Sequence, residues 1–425
     1  MSEDILIKGG TLLTMEDHGP VMDNSFLLVK NGIIAEMGPD RDCPDPEDAR
    51  VIDAAGGIVM PGLVNCHTHL PMALFRGLAD DLPLDQWLNN HIFPAEAEKI
   101  NPDSVKKWAR HACLELLNSG TTTCCDGYFY EDQAAEAALE SGIRAVAGQG
   151  VIDFPAPGVP DPEKNVAYAA AFAEKWQNRC SRIHPSIFCH SPYTCSETTL
   201  VQAKNAAREL GILFQIHLAE TKNEQQMIPR HYRHLSPAAY LDRLGLLDEN
   251  TLLSHGVWID EKDVALIEQR GAAIVHCAKS NMKLASGIAP MPSIMKRSIP
   301  AGLGTDSCAS NNSLDLFSEM DTVAKLHKCA GSDPTVMKAR DVVKMATIGG
   351  ARALGLDRSI GSLERGKKAD IIVINTDQPH LVPLYNPFST VVYGVKGSDV
   401  THVMVDGDLL VNRSGFTLES RLIDN

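Results

Sequence analysis

Four residues of this 425-residue chain have the types and spacing of a metal centre. His67 and His69 lie two apart, and residues two apart in a strand point to one face with Cα atoms about 6.6–6.8 Å apart. Both imidazoles can therefore reach one ion, while Cys66 and Thr68 face away. His217 and Asp306 complete a set of three nitrogens and one oxygen, which suits a borderline divalent cation such as Zn²⁺ and leaves a position for water. A His-x-His pair alone is as compatible with an ordinary strand end as with a ligand pair; the four residues together are a much stronger signal. Zn²⁺ lowers the pKa of its water towards about 7, so attack on an electrophilic carbon needs only a further group to move protons. Glu220 follows His217 by three residues, just past the strand end, within reach of a substrate rather than of the metal. Its plain alternative is a rim carboxylate in an ion pair. His255 reads as an electrostatic partner of the water, and Asp306 as a ligand that also holds the water's proton.

Other candidates carry less. Cys66 and Cys308 flank the ligand positions but read as packing groups. Cys124 and Cys125 could form a redox or metal pair only with a second pair at finger-like spacing, which the sequence lacks. His18, His184, His231, His234, His380 and His402 have no positional argument and are expected on the surface or in loops.

The elements that must hold these residues follow from the pattern of apolar runs. Eight short runs, at 58–65, 121–125, 145–151, 187–189, 213–216, 251–254, 273–275 and 301–304, alternate with segments of helical periodicity such as 104–119, 132–141, 162–180, 198–210 and 261–270. Eight β-then-α units predict a (β/α)8 barrel, whose strands are buried on both faces and so read as uniformly apolar. An open doubly wound sheet is the competitor, but no phosphate-cradling glycine loop follows a strand. The runs lead into His67-Thr68-His69, His190, His217, His255, His276 and Asp306, and barrels gather their chemistry at the carboxyl ends of the strands.

The chain ends read differently. Residues 5–7, 11–15, 25–30, 33–37 and 51–53, then 369–375, 390–393, 400–405 and 409–412, are short strand-like runs. They are separated by Gly9-Gly10, Asn31-Gly32, Gly38-Pro39 and Asp406-Gly407. Each end is too small to bury a core alone, so the expectation is one small β-sandwich built from both termini. The division is then 1–57 and 367–425 for the sandwich and 58–366 for the barrel.

Composition bounds the rest. With 44% hydrophobic and 22% charged residues the chain is an ordinary globule, and disorder is excluded as its main state. Lys and Arg number 39 against 54 Asp and Glu, a formal charge of −15. That argues against nucleic acid or an anionic membrane as the chief partner. Two acids among the first residues, and eleven cysteines in a chain without disulfide-framework spacing, point to a cytoplasmic protein with reduced thiols.

Taken together, Pro61–His69, His217-Leu218-Ala219-Glu220, His255-Gly256 and Gly304-Thr305-Asp306 resemble the amidohydrolase superfamily. Within it the chain is most similar to the 5-methylthioadenosine/S-adenosylhomocysteine deaminases and their chlorohydrolase relatives. Leu82–Leu88, Phe93-Pro94-Ala95-Glu96, Ser280–Gly287 and Ser310-Asn311-Asn312 point the same way, and the resemblance spans nearly the whole chain. It implies one Zn²⁺ per chain (or Fe²⁺) on His67, His69, His217 and Asp306. Binuclear relatives need a Lys at the end of the fourth strand, where this chain has Phe188-Cys189-His190. The resemblance further implies that Glu96 contacts ribose hydroxyls, His190 the substrate, Glu220 the purine N1/N3 edge and Ser310 the substrate near Asp306. Trp87 packs on the ligand or serves as core or lid.

One departure bears on specificity. Some members of the family it resembles carry an Arg in the loop after the third strand, suited to a homocysteine carboxylate by bidentate pairing. Here residues 148–164 contain none and Arg144 falls within or before the strand, although Arg230 or Arg233 could swing in from another loop. The expected reaction is metal-dependent hydrolytic deamination of an adenine nucleoside with a neutral 5′-group, 5′-methylthioadenosine first. S-adenosylhomocysteine, 5′-deoxyadenosine and adenosine are the other candidates. The competing readings are guanine or cytosine deamination or triazine dechlorination on the same site, and a barrel without activity. A homodimer or homotetramer is expected for a barrel of this size.

Overall fold

Eight parallel strands close into a barrel in the computed structural model, which describes residues 3–45 and 48–413. They are β1 (Leu63–Thr68), β2 (Thr121–Tyr128), β3 (Arg144–Val151), β4 (Ile183–Cys189), β5 (Leu213–Leu218), β6 (Thr251–His255), β7 (Ala273–His276) and β8 (Ala301–Leu303). Leu303 of β8 pairs with Asn65 of β1 to complete the ring. Strands of this kind are enclosed on both faces, and every residue of β1, β2 and β3 is buried, including the threonines that begin β2. Helices on the outside start and stop where the sequence marks them. Pro102–Asn118 opens on a reciprocal cap between Asn101 and Ser104, and Glu261–Arg270 runs from the Asp260 cap to Gly271, which ends it at φ 73°.

The two termini meet in a single unit, as expected, and its strands belong to one continuous eight-stranded mixed sheet. Ile5–Leu13 lies at its centre, antiparallel to Val21–Lys30 and parallel to Arg50–Asp53 and Ile58–Pro61. Ile58–Pro61 in turn pairs with Ile371–Ile374 from the other end of the chain. A core that includes Ile5, Ile7, Leu27, Val29, Val59, Ile371 and Val373 is shared by both termini. Asn31-Gly32 and Asp406-Gly407 form the expected hairpin turns, each with two positive φ angles. The sheet is tied to the foot of the barrel by Arg144, the first residue of β3. Its Nε and Nη2 each lie 3.0 Å from an oxygen of Asp370, and both side chains are 2% exposed.

Four local expectations are corrected. The run 58–65 is two strands: Ile58–Pro61 joins the terminal sheet and Leu63–Thr68 the barrel, with Gly62 between them. A Cβ at Gly62 would fall 2.1 Å from the Thr122 side chain, so only glycine fits where the chain passes from sheet to barrel. Gly9-Gly10 is a bulge within one long strand and not a turn; the Gly9 amide is held by the Asp40 carboxylate. Thr390–Tyr393 is helical, within Pro387–Tyr393. The Asn386 cap and Pro387 in the first turn outweigh the β-branched residues, and Val391 and Val392 are fully buried. His184 and His402, expected on the surface or in loops, lie half-buried in strands.

Candidate active site

The carboxyl ends of the barrel strands open into a cavity of about 990 Å³, mouth included. His67, His69 and His217 meet at its floor, with one nitrogen from each ring within 4.8 Å of the others. His67 Nε2 and His217 Nε2 are 3.1 Å apart. Asp306 Oδ1 lies 3.6 Å from His67 Nε2 and 3.4 Å from His69 Nε2. Gly304 makes room for this cluster, since a Cβ there would sit 2.8 Å from that of His67.

Neighbouring groups fix which atoms face inward. His69 Nδ1 donates to the Gly127 carbonyl at 2.6 Å, so its Nε2 carries a lone pair. His67 Nδ1 is 3.1 Å from Ser254 Oγ, which leaves its Nε2 for the cluster. Asp306 Oδ2 accepts from Ser280 and Ser310, and Oδ1 from the Ser307 amide. Burial holds His67 and His217 well below the ordinary histidine range, with the other imidazoles adding to the effect, so both are neutral. Neutral nitrogens converging with one carboxylate, each braced from behind, fit a divalent metal ion.

Glu220 and His255 stand at the edge of this floor, Glu220 Oε2 4.0 Å from His255 Nε2. Burial raises Glu220 above the usual carboxylate range, against the pull of His255. For His255 burial opposes protonation, but the Glu220 and Asp306 carboxylates outweigh it and raise the group. Asn281 Oδ1 accepts from His255 Nδ1 at 2.9 Å and aims Nε2 at Glu220. The backbone here is strained: Ala219, His255 and Asp306 have φ of 49°, 77° and 59°, a region non-glycine residues rarely adopt.

The remaining expected residues line the same cavity. His190 follows β4, its Nδ1 2.9 Å from Thr194 Oγ1, and burial, with the crowding of the His69 and His255 imidazoles adding to it, pushes it down to about 4. Glu96 lies on the far wall, where the Tyr128 hydroxyl donates to it and burial pushes its carboxyl up to about 7. Ser310 and Trp87 are both lining residues, with the Trp87 indole donating to the Ala79 carbonyl.

His276 does not reach the rim. It is buried towards the helix layer, 3.0 Å from His327 on helix Leu316–Gly331, because Val275, not His276, is in register with Ser254, whose side chain faces the histidine cluster. Cys66 is a core thiol against the Gly350 carbonyl. Cys124 and Cys125 belong to different apolar clusters on opposite faces of β2, and all eleven cysteines are free.

Ser254, Tyr128 and Glu224 escaped the sequence reading. Ser254 had a signal, since it stands one residue before His255 at a strand end. Tyr128 and Glu224 had none beyond their place at the end of β2 and in the loop after β5.

Among the described residues lining the cavity there is no Lys or Arg. The wall after β3 is Phe154, Pro155, Ala156 and Pro157. Arg230 and Arg233 line neither the cavity nor its outer mouth, where Lys222 and Lys283 are the cations.

Residues 58–410 match the model of the amidohydrolase family. The chain belongs to that family. It is 46% identical to a 5-methylthioadenosine/S-adenosylhomocysteine deaminase of Syntrophobacter fumaroxidans over 96% of this chain and 93% of that one. It is 42% identical to a 5′-deoxyadenosine deaminase of Methanothermobacter thermautotrophicus, with the same shares covered. A solved adenosine deaminase from Xanthomonas campestris with bound zinc superposes with a TM-score of 0.95 at 35% identity, covering 99% of this chain and 95% of that one. The chain is thus a hydrolase of the amidohydrolase type with a divalent-metal site. Among the described residues no helix is long and apolar enough to cross a membrane.

Proposed function

We infer that this protein hydrolytically deaminates adenine nucleosides to their inosine analogues, with ammonia as the other product. One observation carries the reading: the Glu220–His255 pair and the braced histidine cluster face, across a single cavity, the buried carboxylate of Glu96. A base needs the first two; a ribose needs the third. Guanine, cytosine or triazine chemistry would leave that carboxylate buried without a ligand hydroxyl to bind, which is costly in an apolar wall.

His67, His69, His217 and Asp306 would hold one divalent ion, Zn²⁺ first and Fe²⁺ second. The ion supplies Lewis-acid activation of water at neutral pH. Glu220 carries the proton that goes to purine N1 as C6 becomes tetrahedral, in a buried position that favours its protonated form against the pull of His255. His255 and Asp306 take up the first proton that the water releases and pass it to the departing amine, and the remaining hydroxyl proton returns to Glu220 as the C6 oxygen becomes a carbonyl. Asp306 is fixed for this by three donors, and His255 by Asn281. Ser310 and His190 border the base and the ribose, and Trp87 flanks the ligand. Glu96, oriented by Tyr128, accepts from the ribose hydroxyls.

The 5′-group points along the apolar wall at Phe154 and Pro155, where no cation waits for a carboxylate. Neutral 5′-substituents are therefore preferred, 5′-methylthioadenosine and 5′-deoxyadenosine ahead of S-adenosylhomocysteine. A cytoplasmic homodimer or homotetramer completes the reading; the eleven free thiols accord with a reducing compartment. The test is Glu96→Ala assayed on nucleosides and on free bases by product chromatography. Selective loss on nucleosides supports the assignment, and equal turnover of both by variant and parent rejects it.

A further inference from the structure

The loop after β5 must turn Glu220 out of the strand and hold it over the cavity, and a second carboxylate supplies the grip. Glu224 is 1% exposed and opens the short helix Glu224–Met227. Its Oε1 accepts from the Ala219 amide at 2.8 Å and its Oε2 from the Glu220 amide at 2.9 Å. The same turn is tied from its other side by the loop after β6. The Gly256 amide donates to the Leu218 carbonyl and the Trp258 amide to the Ala219 carbonyl, both at 2.9 Å. Between them sits Ala219 in the left-handed region at φ 49°, a conformation that persists only where the surroundings impose it.

From this geometry we propose that Glu224 is the positioning residue for Glu220: by clamping two consecutive amides it holds the strained turn that aims the Glu220 carboxylate at the base. Only a carboxylate can accept from both amides at once, because an amide side chain offers one oxygen and sets its NH₂ against the second N–H. Glu224 lines no part of the cavity and bonds to no side chain of the histidine cluster; its two hydrogen bonds go to the turn that carries Glu220, and beyond them its charge is felt by His255. The inference rests on Glu220 being the proton carrier of the proposed reaction.

The test is a double-mutant cycle on the metal-loaded enzyme with Glu220→Gln, Glu224→Gln and the pair, reading kcat, KM, metal per chain and the thermal melt. Glu224→Gln is expected to keep full metal content and a near-parental KM while kcat falls about 10- to 100-fold. In the Glu220→Gln background the same change is expected to cost nothing further. If Glu224→Gln does not fold, Glu224→Asp takes its place; its arm is one methylene too short to span both amides, and the same losses are expected. Unchanged kcat in a folded variant overturns the proposal. So does a loss that persists undiminished in the Glu220→Gln background, or a loss of metal, either of which would mean Glu224 supports something other than Glu220. Full activity of Glu220→Gln alone is a separate result: it rejects Glu220 as proton carrier, and this inference falls with it.

Discussion

Replacing Glu96 by Gln should make the protein more stable, and by an amount that depends on pH. Burial pushes the Glu96 carboxyl from 4.5 up to about 7, with the Tyr128 hydroxyl pulling the other way. The folded state thus holds this proton more tightly than the unfolded chain does. Between pH 4.5 and 7 the folded protein binds more protons, so the parent loses stability as pH rises through that window. A rise from 4.5 to about 7 is equivalent to about 3 kcal/mol. Gln is nearly isosteric with the protonated acid, keeps an oxygen for the Tyr128 hydroxyl and has nothing to ionise. Glu96→Gln is therefore expected to exceed the parent by about 3 kcal/mol at pH 8 and by about 1 kcal/mol at pH 5. Denaturant unfolding at the two pH values, with metal content matched, reads both numbers. A variant less stable than the parent at pH 8, or an advantage that shrinks as pH rises, would refute the reasoning. Such a stabilisation would also mark Glu96 as a residue kept for binding at the expense of folding.

Glu220→Gln should retain one metal per chain by elemental analysis yet lose about 10²- to 10⁴-fold in kcat, the usual worth of a positioned proton carrier. His217→Ala should lose both metal and turnover, whereas Ser254→Ala should keep activity when saturated with metal but bind it about 10- to 100-fold more weakly in a chelator titration. For nucleosides, kcat/KM should rise as pH passes about 7 and Glu96 ionises to accept from the ribose; Glu96→Gln should flatten that step in a pH profile. Asp370→Ala leaves the buried Arg144 guanidinium with only the more distant Asp406 carboxylate, 3.6 Å away, and should cost about 3 kcal/mol in denaturant unfolding.

What the sequence made legible was whatever repeats or clusters. Eight apolar runs with intervening helical periodicity gave the barrel, because burial on both strand faces writes itself directly into composition. That His67, His69, His217 and Asp306 come together was legible because each follows a visible strand end. Thr390–Tyr393 failed as a strand since a cap and helix packing overrode its β-branched residues. His276 failed for a different reason. Its position at a strand end was right, but a residue's face is set by the register between neighbouring strands, which puts Val275 beside Ser254 and turns His276 to His327. Glu224 could not be read at all: a carboxylate four residues beyond Glu220 looks like helix surface until the turn at Ala219 folds it back under the loop.

The central claim is deamination at C6 of an adenine nucleoside, and its most direct measurement is ultraviolet absorbance. The zinc-loaded protein would be given 5′-methylthioadenosine, 5′-deoxyadenosine, S-adenosylhomocysteine, adenosine and free adenine side by side. The expected result is the adenine-to-hypoxanthine shift with the nucleosides, fastest for those with a neutral 5′-group and slowest for free adenine. No shift with any nucleoside, in protein carrying one zinc per chain, would contradict it.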